Sequence, residues 1–230
     1  MEIGVTERGD AALDLSWRSW VEKGKPAILI TKNPAKLLEE FNVNAFQAHN
    51  FNIIVHATIT GLGKLFEPNV PDTAESLKAY HGLIAFFSSE RVVLRVDPVI
   101  PTGEWLEKAK SVIKEKDPKG RVRVSFIDQY PHVKQRFKEV GFELPWESFH
   151  APLELRQKTW EELGRPEICG EPGFTCTGCV SEIDCKTLNV NPLIVYKDQR
   201  PFCACLANKK ELLKEKSQCF HNCLYCYWRT

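Results

Sequence analysis

Short, β-branched apolar runs recur along the first two thirds of the chain, and longer amphipathic stretches separate them. The runs fall at residues 3–6, 27–31, 52–60, 91–96 and 122–127, and the helix-like stretches at 15–23, 34–41, 73–87, 103–115 and 133–140. A strand that rejoins its sheet after a crossover helix runs parallel to the one before it. The alternation therefore predicts βαβ units and a mainly parallel sheet. Roughly five to seven strands would suit either an open doubly wound sheet or a partial barrel.

Helix boundaries agree with this. Asp72-Thr73-Ala74-Glu75 and Pro101-Thr102-Gly103-Glu104 read as helix starts, and Gly141 with Pro145 just beyond reads as a stop. The polar residues closing each strand are more telling. In parallel sheets the carboxyl ends of the strands face the functional site. Lys32, Asn33, His56, Thr58, Thr60, Arg95, Asp97, Ser125 and Asp128 would collect there. For any one of them, capping of a turn or helix is an equally good reading. Recurrence on successive strands favours a common mouth.

The chain has 230 residues, enough for one large domain, and a formal net charge of +1, which gives no reason to expect nucleic acid or an anionic membrane as partner. No apolar leader is visible near the N-terminus and no run is long enough to span a bilayer, so an intracellular, cytoplasmic and soluble protein is expected. Gly61-Leu62-Gly63-Lys64 does not complete a phosphate-binding loop, because Thr58 and Leu65 stand where that pattern needs other residues.

All nine cysteines lie between Cys169 and Cys226. An odd number without a secretion signal argues for metal or cluster ligation over disulfides. Cys219, Cys223 and Cys226 form Cys-x3-Cys-x2-Cys in CFHNCLYCYWRT, a spacing that can hold three irons of a four-iron, four-sulfur cluster and leave the fourth open. The rival is a zinc ribbon pairing Cys176-x2-Cys179 with Cys223-x2-Cys226. Cys169, Cys176, Cys179, Cys185, Cys203 and Cys205 remain, and four of them could hold a second iron–sulfur cluster or a zinc ion. Cys203 and Cys205, two apart on a candidate strand at 202–206, would point to one face.

CFHNCLYCYW resembles the cluster loop of radical S-adenosylmethionine enzymes, with Tyr225 in the aromatic position. In that superfamily the loop follows the first strand of a partial (β/α)6 barrel of TIM type, whereas here it closes the chain. In this respect the chain resembles an uncharacterised domain-of-unknown-function family with such a cysteine cluster at its C-terminus. VTERGD, ITKNP, TITGLGKLFEPNVP, RVDPVIP, SFID and QRPFCAC carry the likeness. ITKNP and RVDPVIP are also distantly similar to the spore photoproduct lyase branch.

The resemblance implies a circularly permuted α/β barrel. Residues 1–163 would form the β/α part, and the Cys-rich 164–230 would complete it and carry the iron–sulfur sites. The strand at 202–206 would then lie beside the one at 3–6, with the helix-like composition of 207–218 as an insertion to accommodate. The resemblance further implies reductive cleavage of S-adenosylmethionine by a 4Fe-4S cluster on Cys219, Cys223 and Cys226. The resulting 5′-deoxyadenosyl radical would abstract hydrogen from a small-molecule or nucleic-acid substrate, a base being one candidate. The electron would come from a low-potential donor such as flavodoxin or ferredoxin.

Cys169, Cys179, Cys203 and Cys205 align best with further cysteines of that family, and Cys176 could replace any of them. Lys32 is expected on the cofactor's carboxylate, Tyr225 by its adenine, and Thr58 and Thr60 by its ribose or packed in the strand. Arg95 and Asp97 would be catalytic or paired with each other. His56 shares the face of Thr58 and Thr60 and could touch substrate, but a hydrogen-bonded core histidine is the favoured expectation. A non-catalytic zinc protein engaging nucleic acid, or an iron–sulfur electron carrier, are the alternatives.

Overall fold

The computed structural model of the chain describes residues 1–43, 51–193, 202–213 and 219–228. Seven strands are present among them: β1 (Ile3–Val5), β2 (Ala27–Thr31), β3 (Ile53–Thr58), β4 (Val92–Val99), β5 (Arg121–Phe126), β6 (Glu167–Ile168) and β7 (Lys209–Glu211). They form one sheet in the order β6-β5-β4-β3-β2-β1-β7, every pair parallel. The sheet curls into a half-barrel, as a partial TIM-like barrel would. The helices are α1 (Arg18–Val21), α2 (Pro34–Val43), α3 (Thr73–Phe87), α4 (Gly103–Lys114), α5 (Pro131–Glu139), α6 (Leu153–Glu162) and α7 (Glu182–Thr187). No helix among the described residues is long and apolar enough to cross a membrane.

Strand alternation divides the core in two. Leu29, Val55, Ala57, Leu94, Val96 and Val124 point to the convex face and pack with Leu37, Phe41, Tyr80, Leu83 and Val112 from α2, α3 and α4. Ile3, Val5, Ile28, Ile30, Ile54 and Val93 point to the concave face, where Val180, Cys185, Leu188, Val190 and Leu206 cover them. Both faces are buried, which is why these strands read as nearly continuous apolar runs. α7 starts on a full capping box between Ser181 and Asp184, and Asp184 also takes Arg121 at 2.7 Å. Cys185 is thereby a core residue on the concave side.

The last strand is not where its sequence suggested. Residues 202–206 form no strand: Leu206 donates its N–H to Val180 O at 2.9 Å, and this segment lies over the concave face. The strand beside β1 is β7, three residues later, paired Ile3 to Lys209 and Val5 to Glu211. Its sequence KKE suits a sheet edge, where charges deter further pairing. Lys209 bonds Glu7, Lys210 stands 5.1 Å over the Trp20 ring, and Glu211 accepts the N–H groups of Glu7 and Arg8 at 3.0 and 3.1 Å. Residues 209–211, expected to be helix-like, are thus extended, and 214–218 lie outside the described residues.

A third apolar cluster sits at the carboxyl ends of the strands. Leu62, Phe66 and Val70 from the β3 loop meet Ile100, Ile127, Val133, Phe137 and Trp146, and the cluster takes in Cys223 and Tyr225. Phe66 is its centre, with edge-on contacts to Trp105, Phe137 and Phe142 at 4.8, 5.4 and 4.8 Å. Gly61, at φ +75°, lets the β3 loop turn tightly against α4, where a Cβ would meet Lys108 O at 3.3 Å.

Candidate functional site

The segment with Cys219, Cys223 and Cys226 is laid across this mouth by backbone contacts. Asn69 donates its N–H to His221 O at 3.3 Å and its amide to Phe220 O at 2.7 Å. Leu224 donates to Phe66 O at 2.9 Å, and Arg136 on α5 reaches Cys226 O at 2.6 Å. Below it, Asp10 from the β1 loop binds four groups. Its carboxylate accepts the Ala12 and Lys32 N–H groups at 2.8 and 2.6 Å and the Thr31 hydroxyl at 2.7 Å, and it meets His221 Nε2 at 2.7 Å. Burial disfavours its charge, but bonding and charge from His221, with Thr31 and the Lys32 amide, hold the carboxyl below its ordinary range.

Glu67 is the second hub. Its carboxylate takes the Tyr225 hydroxyl, the Thr60 hydroxyl at 2.5 Å and the Lys32 ammonium at 3.1 Å. Burial pushes Glu67 up, yet Lys32, Thr60 and Tyr225 outweigh it and keep the group ionised. Lys32 also donates to Asp97 O at 3.1 Å and lies 5.1 Å from the centre of the Tyr225 ring. Burial lowers its affinity for a proton, while Glu67, Cys223 and Asp97 raise it, and the net direction is up. An ammonium has three protons, and these two bonds leave one for a ligand.

On β4, Arg95 and Asp97 point to the concave side and form an ion pair, and Asp97 also takes the Ser125 hydroxyl. Thr58 is buried on the same face, in register with Arg95. Thr60 spends its hydroxyl proton on Glu67 and so positions that carboxylate. Asn33 is local: its side chain accepts the Lys36 N–H at 3.0 Å at the start of α2. Asp128 pairs with His150 at 2.7 Å. His56 departs from expectation. It is fully buried, and neither ring nitrogen has a hydrogen-bond partner among the described residues. Burial and then Arg123, Arg95 and Arg121 drive its pKa well down, so it is neutral.

Glu67, Asp10 and Asn69 were missed by sequence reasoning. Glu67 and Asn69 lie inside the run TITGLGKLFEPNVP and Asp10 inside VTERGD, but no fixed spacing marks them as site residues.

The other cysteines split. Cys169, Cys179 and Cys205 form a buried sulfur cluster with Cys203 packed against it. Cys169 and Cys179 sulfurs are 3.7 Å apart, and Cys205 Sγ accepts the Cys179 N–H at 3.1 Å. Glu7 from the end of β1 brings a carboxylate oxygen within 4.8 Å of the Cys179 and Cys205 sulfurs. Cys176 turns aside to the Glu171 backbone, at 3.2 and 3.3 Å. Hydrogen bonding to Cys205 draws Cys203 down to about 7, whereas burial drives Cys223 up to about 12.

One family model, described as Domain of unknown function (DUF1848), matches residues 21–228. No curated protein and no solved structure matches the chain.

Proposed function

The chain belongs to this family of unknown function, so its activity must be read from the site, and we propose that it is a radical S-adenosylmethionine enzyme. The supporting observation is the seating of Cys219, Cys223 and Cys226 over the carboxyl mouth of a parallel half-barrel, tied through Tyr225 and Glu67 to Lys32. The donor set suits an iron–sulfur cluster with one open iron: three thiols and no fourth cysteine in the loop. Cys223 is buried beside Glu67 and stays protonated unless a metal takes the proton's place. When bound, the reduced cluster would supply the electron that splits S-adenosylmethionine and yields a 5′-deoxyadenosyl radical.

Each neighbouring side chain has a definable part. Cys219, Cys223 and Cys226 would hold the cluster. The spare proton of Lys32 would meet the carboxylate of the sulfonium donor as a point charge. Glu67 keeps that ammonium charged and in place, and Thr60 and Tyr225 in turn keep Glu67 in place. Asp97, held by Arg95 and Ser125, offers an acceptor at the end of β4. Thr58 lines the same wall. Leu62, Phe66 and Ile127 exclude water from the mouth.

The position of β7 supports a permuted barrel. It runs parallel at the sheet edge beside β1, and the cysteine loop follows it, as the cluster loop follows a first strand in the superfamily resembled. The substrate is a small molecule or a nucleic-acid base, and the electron donor a low-potential protein of flavodoxin or ferredoxin type.

Anaerobic protein, reduced and supplied with S-adenosylmethionine, is expected to release 5′-deoxyadenosine, and the Cys223→Ala variant to release none. No release from wild type with an intact reduced cluster would overturn the proposal. Equal release from the variant would show that the loop is not the site.

A further inference from the structure

We infer that Cys169, Cys179, Cys203 and Cys205 bind a single tetrahedral zinc ion, which clasps the two open edges of the half-barrel together. This rests on different sulfurs from the proposed cluster and is independent of it.

The spacing of the Cys169 and Cys179 sulfurs favours a single ion. Two thiolates on one zinc, each bonded at about 2.3 Å, are about 3.8 Å apart at the tetrahedral angle. Cys169 and Cys179 already stand 3.7 Å apart. In a four-iron cluster each cysteine binds a different iron, so its sulfurs are held farther apart. Sulfur contact of this kind leaves no room for irons and sulfides between them. The Cys179 and Cys205 sulfurs lie within 4.8 Å of each other, and Cys203 packs against the group. The three buried thiols and the Cys203 packed against them, with the Glu7 carboxylate beside Cys179 and Cys205, form a thiol-rich donor set of the kind that zinc takes in structural sites.

The surroundings suit the charge. Four thiolates on a divalent ion leave a net charge of about −2. Arg95 on β4 feels the Cys179 and Cys169 sulfurs, and Lys209 on β7 feels Cys205 and Cys179. Glu7 anchors Lys209, and the Cys179 N–H donates to a ligand sulfur. Outer contacts of this kind orient metal ligands.

Backbone geometry permits the approach only through Gly178. A Cβ there would lie 2.4 Å from both Cys205 N and Cys205 Cα, and 2.5 Å from Ala204 C. Two chain segments therefore touch main chain to main chain just where their cysteines converge.

Topology gives the purpose. β6 and β7 are the outermost strands at opposite edges of the sheet. Cys169 follows β6 directly, and Cys203 and Cys205 precede β7. Strands of two and three residues hold few ladder bonds of their own, and an ion joining the segments beside both supplies what they lack.

The test uses the full chain from cells supplied with iron and zinc. Zinc-edge X-ray absorption of the wild type should show an all-sulfur shell without a metal neighbour, at one zinc per chain. In a Cys219→Ser/Cys223→Ser/Cys226→Ser variant the zinc should stay while iron and labile sulfide disappear. Cys205→Ser should lose the zinc, and Cys176→Ser should keep it. Iron and sulfide persisting in the triple variant, a Cys169–Cys179 disulfide in zinc-free wild type, or zinc retained by Cys205→Ser would each overturn the inference. Should Cys205→Ser fail to fold, cobalt(II) exchanged into the wild type reports the thiolate count by its visible spectrum, and fewer than four sulfurs overturns it.

Discussion

Two groups of cysteines occupy one C-terminal quarter of the chain, yet the fold treats them in opposite ways. Cys169, Cys179 and Cys205 cluster on the concave face with Cys203 packed against them, and Arg95 and Lys209 are close by. Cys219, Cys223 and Cys226 stand at the mouth, all within the single run CFHNCLYC. The first group draws together segments distant in sequence. The second lies on one short loop that Asn69, Phe66 and Arg136 have already placed. On the proposed assignments the first group would fasten the fold from separated segments, and the second would present a reactive centre from a local loop.

The comparison can be broken most directly by exchanging the losses. Cys223→Ala is expected to abolish 5′-deoxyadenosine release and loop iron while leaving thermal stability nearly unchanged, as calorimetry and iron analysis would show. Cys205→Ser should do the reverse to stability. Loss of a structural metal belongs among the exceptional substitutions, at more than about 4 kcal/mol, read by denaturant titration. If both variants lost the same property to the same degree, the division between the groups would fail.

Smaller changes sharpen it. Glu67→Gln leaves the Lys32 ammonium buried without its counter-charge, and breaking such a pair costs about 3–5 kcal/mol. The Glu67 carboxyl is held below its ordinary 4.5 in the folded protein, so its ionised form stabilises the fold above that pH, and this contribution is lost as pH falls through the folded value. The stability gap between wild type and Glu67→Gln should therefore be full near neutrality and shrink in acid, as urea melts at several pH values would reveal. A gap that widened in acid would contradict the assignment. Tyr225→Phe removes the bond to the Glu67 carboxylate together with the contact to the Cys223 thiol, and the charged acceptor sets a smaller loss of about 1.5–3 kcal/mol. It should leave the zinc proposed for the concave group in place, as elemental analysis would check.

The sheet was largely legible. Runs such as AILI and NIIV are buried on both faces, and nothing but a strand of that length suits them. The edges were not. FCACL has the composition of a strand, but Cys205 and Leu206 are spent covering the concave face, whereas KKE has none of that composition and pairs with β1. An edge strand held by Lys209–Glu7 and by Glu211 contacts carries no apolar signature to read. The same limit applies at the mouth. Lys32, Asp97 and Tyr225 were visible because they end strands or sit in the cysteine motif. Glu67 and Asp10 act through distant partners, and only folding brings those partners near.

Asn69 deserves a last consideration for what it makes unnecessary. With its main-chain and side-chain amides it grips the carbonyls of Phe220 and His221, and His221 Nδ1 lies 3.3 Å from its own carbonyl. With Arg136 on the Cys226 carbonyl, Asp10 on His221 and Glu67 on Tyr225, the course of the cysteine loop is set by hydrogen bonds that involve no sulfur. The iron–sulfur cluster proposed here, once destroyed by oxygen, could be rebuilt on a seat that has kept its shape, sparing the chain a fresh round of folding.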